Sequence, residues 1–187
     1  MAIGSPDQAA RLDQLRTYAR VQVRSGYKGD DEVRLEVYDA VLDEVRDADR
    51  AEQLTQAYLG QARSDLARAA AQWPHPPAFE RLQAAFGELR AEGVIVLEAC
   101  DDHWAANETL HASAADGSTP RGIAFFTHAD VWHAVEHDMF ELNVWHGDTA
   151  NVREGDDLVS RVQQVLGDHG IESQFDEGRL EVSLTWQ

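Results

Sequence analysis

Two histidines four residues apart, His133 and His137, enclose Glu136 in the string His-Ala-Val-Glu-His. On a helix that spacing puts both imidazoles on one face, about 6 Å apart, where they can bite one metal ion. The form H-x-x-E-H is that of inverted zinc peptidases, in which the Glu activates water. Those enzymes set it in a long helix and add a distant acidic ligand from a second helix. Here the helical stretch is short and lies between two strand-like segments. The fitting ion for such a pair is a divalent transition metal such as zinc. His128 and Asp130 stand nearby, but both fall at the helix start, where capping explains them. The competing explanation for the pair is plain solvation on an exposed helix face.

Cys100-Asp-Asp-His103 is the second candidate. Cys and His at that spacing can share a metal or act as nucleophile and base. Neighbouring carboxylates raise a thiol pKa and oppose a reactive thiolate, so a structural Cys at a strand end is the favoured assignment. The pairs Asp101-Asp102 and Asp156-Asp157 lack the spacing of a calcium loop. No phosphate-cradling glycine motif and no G-x-S-x-G elbow occurs. Trp104, Trp132 and Trp145 are expected in the core, since aromatics carry large apolar area; exposed together they would form a contact patch.

The whole chain narrows the function classes. Its 187 residues suffice for one substantial domain, or for one with a helical extension. No run approaches the ~18 apolar residues that a bilayer crossing needs. Met1–Pro6 lacks the charged and apolar regions of a secretory signal. Cys100 is the only cysteine, so a cytoplasmic location is the expectation. Arginine supplies all but one of the basic residues and alanine is abundant, a composition suggesting a GC-rich bacterial genome.

The formal net charge is −18 and is unevenly spread. Residues 94–187 carry 4 basic and 18 acidic side chains. Such a surface repels phosphate backbones and anionic membranes, so no nucleic-acid or membrane partner is expected. It attracts basic proteins or cations, although acidic surface also serves solubility alone.

The elements that must position these residues follow from periodicity. Leu12, Leu15, Ala19 and Val23 stripe a helix over 7–25, ended by Ser25-Gly26. Val33, Val37, Val41 and Val45 stripe a second, with Asp30 and Asp31 as its caps. Leu54, Tyr58, Ala62, Leu66 and Ala69 stripe a third over 50–71, capped by Asp49. The run Trp73-Pro-His-Pro-Pro77 forces extended backbone. A fourth helix spans Ala78 to Glu92. Val94–Leu97 reads as a strand buried on both faces. Residues 101–120 resist assignment beyond a turn or two of helix at 105–115. Strands at 122–127 and 139–145 flank the short helix 130–137. A helix at 156–169 precedes a final pair, 171–175 and 179–186, joined at Asp176-Glu177-Gly178. The expected class is α+β: about four N-terminal helices, then a small mixed, largely antiparallel sheet with helices packed on one face. The expected division is 1–72 helical, 73–77 connecting, and 78–187 the α+β domain, the two parts being either separate or one compact unit.

The succession of motifs resembles a known family. Trp73-Pro is followed by Glu80-Arg-Leu-x-x-Ala85-Phe86-x-x-Leu89 and Gly93-Val-Ile. Arg121-Gly-Ile-Ala-Phe-Phe then precedes a short acidic helix, and L-x-V-x-L-x-W closes at Trp186. With Ser25-Gly-Tyr27, this order resembles the bacterial domain of unknown function 6891 over about 20–187. Thr127-His-Ala-Asp130 stands where the family pattern has a Gln-Asp-Thr-Glu-like helix start. The resemblance implies a fold and no activity. The expected function is therefore a non-enzymatic, acidic, protein-binding domain with a basic protein as partner. The alternative is a metal-binding or metal-dependent protein using His133 and His137.

Overall fold

A computed structural model describes residues 6–148 and 151–186, so the expectation about a signal in the first five residues lies outside it. The chain divides into two compact units, Met1–Trp73 and Pro74–Gln187.

The first unit is three mutually packed helices, α1 (Pro6–Ser25), α2 (Asp30–Val45) and α3 (Ala48–Ala70). Its core joins Ala19, Val33, Val37, Val41, Ala51, Tyr58 and Leu59. The valine stripe of α2 faces inward as its four-residue step requires. In α3 the buried stripe is Ala51, Thr55, Tyr58, Leu59 and Ala62, so Leu54 and Leu66 flank it rather than belong to it. Two expected caps are displaced. Asp47, not Asp49, caps α3 by accepting from Arg50 N–H. Gly29 occupies the cap position of α2, which frees Asp30 to pair with Arg63 on α3 at 2.9 Å.

The second unit opens with α4 (Ala78–Ala91), β1 (Val94–Cys100), α5 (His103–Ala115), β2 (Gly122–Thr127), α6 (His128–His137) and β3 (Met139–His146). It closes with α7 (Asp157–Asp168), β4 (Glu172–Asp176) and β5 (Arg179–Ser183). The five strands form one sheet in the order β1-β2-β3-β5-β4. Only β1 and β2 run parallel, joined through α5; the other neighbours are antiparallel. The fold is α+β, as expected. Glu177 and Gly178, both at positive φ, make the two-residue turn between β4 and β5.

Side-chain alternation assigns the two sheet faces. Phe126 packs on Phe86 of α4, with ring centroids 6.0 Å apart, and on Phe140 and Trp186. Leu142, Val144, Leu180 and Val182 are buried as well, and α7 lies against β4 and α4. Ile123 and Phe125 point the opposite way, into a cluster with Ala106 and Leu110 of α5. Thus α5, a full helix of 13 residues where only a turn or two was expected, covers the other face over β1 and β2.

Strand β1 is a sheet edge, not a doubly buried strand. Ile95, Val96 and Leu97 are half-buried, because one side of β1 has no strand neighbour among the described residues. Arg90 reaches that edge and donates to the Glu98 carboxylate, which shields it with charge. Gly122 begins β2 where a Cβ would run into the Trp145 carbonyl and the Leu158 methyl, so glycine is needed for β2, β3 and α7 to close up. β5 stops at Ser183, where Leu184 N–H turns to the Asp138 carbonyl at 2.8 Å.

Candidate functional site

The parallel pair β1 and β2 ends at one edge of the sheet, with Cys100 opposite Thr127. Two helices start there, α5 at His103 and α6 at His128. The strand end is bent on the way: the register shifts between Leu97 and Cys100, and Ala99 sits at φ 48°. A bulge of this kind redirects the backbone and re-aims the side chains beyond it.

That edge gathers Cys100, Asp101, Asp102, His103, Trp104 and His128. Asp102 caps α5, its Oδ1 accepting from Trp104 N–H at 2.8 Å and Ala105 N–H at 3.1 Å. Trp104 is therefore fixed at the first turn, with its side chain outward and 61% exposed. His103 lies beside it, ring centroids 4.8 Å apart. Asp101 is 95% exposed and lies 3.9 Å from His128 Nε2. The expectation that Trp104, Trp132 and Trp145 are core residues fails at Trp104, whose place at an N-terminal turn points away from the sheet. Trp132 and Trp145 are half-buried.

Cys100 is buried, and its Sγ lies 3.4 Å from the carbonyls of Asp102 and Phe126. Burial pushes the thiol up, and Asp130, Asp102 and Asp101 add to the rise. Cys100 and His103 thus leave the strand end separately, one into the core and one into solvent. The arrangement suits a structural thiol better than a nucleophile.

On α6 the expected ligands separate into two roles. Thr127 and Asp130 form a capping box: Asp130 Oδ2 accepts from Thr127 N–H and from its hydroxyl, each at 2.7 Å. Asp130 is thereby occupied, and His128 leans to Asp101. His133 and His137 do meet, ring centroids 4.6 Å apart on the exposed face, while Glu136 accepts from Trp132 Nε1 at 3.1 Å. Among the described residues no group of three or more His, Cys, Asp or Glu side chains is placed to hold a metal ion.

Two further polar clusters had no sequence signal, because their members are far apart in the chain. Arg161 of α7 donates from Nε to both oxygens of Glu92, at 3.0 and 3.1 Å, and from Nη2 to Glu88 at 2.7 Å. Arg121 and His169 join the same carboxylates. Glu92 is held below its ordinary value by the Arg161 hydrogen bonds and the charges of Arg161 and Arg121. At the opposite end of the sheet, Asp156 Oδ2 accepts from Arg153 N–H at 2.8 Å and lies 3.0 Å from His146 Nε2. Those two contacts lower its pKa, the backbone one more. Both clusters tie elements together, and neither presents a reacting group.

The second unit is thus an α+β domain with an exposed aromatic and acidic edge. The chain belongs to the family described as domain of unknown function (DUF6891), whose model matches residues 8–187. No curated protein and no solved structure matches it. Among the described residues no helix is long and apolar enough to cross a membrane.

Proposed function

We propose that the protein is a non-enzymatic binding domain that docks a basic protein, and that Trp104 and the carboxylates beside it are the centre of the contact. The observation carrying this reading is the exposed indole of Trp104 set next to Asp101 and Asp102. Tryptophan is rarely left so open without a partner and is enriched where interfaces concentrate their energy. The surrounding charge, 18 acidic against 4 basic side chains over residues 94–187, steers a cationic surface toward it. The single, buried cysteine fits a cytoplasmic setting.

Affinity capture with the wild-type chain and Trp104→Ala, at low and moderate salt, tests this. Basic proteins should be retained by the wild type, released by salt, and lost in the variant. An identical set of proteins on both baits contradicts the proposal.

The second reading is metal binding by His133 and His137, favoured by their 4.6 Å ring separation on an exposed face. Two imidazoles at helical spacing chelate zinc, nickel or copper, with solvent or a partner completing the shell. Metal analysis of protein purified without a histidine tag decides it. Bound metal that disappears in His137→Ala supports it. No metal, and no melting shift when the ions are added, removes it.

A further inference from the structure

Four basic side chains serve residues 94–187: Arg121, Arg153, Arg161 and Arg179. Arg121 and Arg161 are committed to Glu92 and Glu88. The other two, Arg153 and Arg179, line one cavity of about 420 Å³, together with Asn143, Trp145 and Phe175. In a half so poor in cations, half of them meeting at one concave site is not what solubility would select. The size is within the range of small-molecule sites.

The cavity lies at the far end of the sheet from Trp104. Strand β5 leaves β3 after Asn143 opposite Arg179, and Asn151 then bridges to Trp145 in its place. The gap between the β4–β5 turn and the 151–154 segment is the cavity. Its indole is braced from behind, Trp145 lying edge-on to Phe125 with centroids 4.6 Å apart.

Two observations indicate that the arginines are short of acceptors. Arg153 is exposed, and its guanidinium has no hydrogen-bond or ion-pair partner among the described residues. Arg179 pairs through Nη1 with Glu141 at 3.1 Å and through Nη2 with Asp176 at 3.8 Å, yet its Nε is buried with no acceptor among the described residues. A buried donor left without an acceptor is costly, and a bound oxyanion would satisfy it. Glu154 and Glu177 also line the cavity. They oppose densely charged ligands such as triphosphates, and leave room for one anionic group.

We propose that this cavity binds a small molecule with a single carboxylate or phosphate on a planar body, the anion held by Arg153 and Arg179 and the planar part by Trp145. Arginine's planar fork suits both oxyanions, and an aromatic wall suits a flat apolar body. The site is independent of the protein-docking reading, since neither Trp104 nor Asp101 contributes to it.

The test uses the full chain labelled with 15N, titrated with benzoate, phenyl phosphate, inorganic phosphate and benzamidine. The indole N–H of Trp145, assigned through Trp145→Phe, and the Nε–H signals of Arg153 and Arg179 report binding. The expected result is saturable shifts with benzoate or phenyl phosphate, the tighter of the two naming the anion. Arg153→Gln, which breaks no side-chain hydrogen bond among the described residues, should weaken that binding by about tenfold or more. Inorganic phosphate should bind less tightly than phenyl phosphate, and benzamidine should leave the signals unmoved. No saturable shift with either planar anion, equal binding of benzamidine, or unchanged affinity in Arg153→Gln would overturn the assignment.

Discussion

Asp102 and Trp104 are joined through the backbone: the Asp102 carboxylate accepts from Trp104 N–H at 2.8 Å and so starts α5 at the residue whose indole stands in solvent. The cap therefore serves stability and presentation together. Asp102→Ala is expected to cost about 1 kcal/mol, the usual loss of a helix cap, whereas Asp102→Ser keeps most of it. Urea unfolding of the two variants checks this. Equal losses in both would separate the cap from the stability of α5.

Arg161 and Glu92 tie α7 to α4, and their side chains are each 26% exposed. The Glu92 carboxyl is lowered in the folded chain, chiefly by the Arg161 hydrogen bonds. A depressed acid contributes stability that is present above its unfolded value, near 4.5, and is lost as pH falls through the folded value. Arg161→Ala should thus lower the melting temperature by a few degrees at pH 7, and the gap should narrow below pH 4.5. A gap that stays constant down to pH 3 would assign the loss to packing by the arginine stem instead.

Cys100 should be a poor nucleophile. Burial raises its pKa above the ordinary value of 9.0, and three aspartates push the same way, so little thiolate exists near neutrality. Alkylation by iodoacetamide at pH 7.5 is expected to be slow in the native chain and to become fast in urea. Rapid native labelling would contradict the buried geometry.

Phe126 is 0% exposed and touches Phe86, Phe140 and Trp186, which makes it the meeting point of α4 and the sheet. Truncation removes all three ring contacts, and Phe126→Ala should cost about 3–5 kcal/mol. Chemical denaturation followed by Trp fluorescence measures it. A loss under ~1 kcal/mol would mean that the cluster repacks around the gap.

The parts of this fold that were legible in the sequence are those with a single clean period. The alternation Phe140, Leu142, Val144 placed β3, and the valine step placed α2. Asp176-Glu177-Gly178 announced the hairpin through its turn chemistry. Helix α5 was not legible, because only Ala106 and Leu110 are buried on it and its Asn-Glu-Thr centre carries no stripe. The edge position of β1 was hidden, since a short apolar run looks the same in the middle of a sheet and at its border. Cap identity failed at Asp47 and Asp49 for a local reason: either aspartate suits the position, and only the backbone shows which one is extended. At the candidate site, His133 and His137 met as their spacing requires. The approach of Asp101 to His128 was out of reach, because it depends on β1 and β2 ending side by side.

Docking of a cationic protein on the Trp104 edge can be followed residue by residue in an NMR titration. The full chain, as wild type and as Trp104→Ala, is titrated with an arginine-rich peptide. Shifts should concentrate at the Trp104 indole and the backbone of Asp101, His103 and His128, with affinity falling about tenfold or more in the variant. Shifts spread evenly over the acidic surface, with the same affinity in Trp104→Ala, would contradict a docking role for this edge.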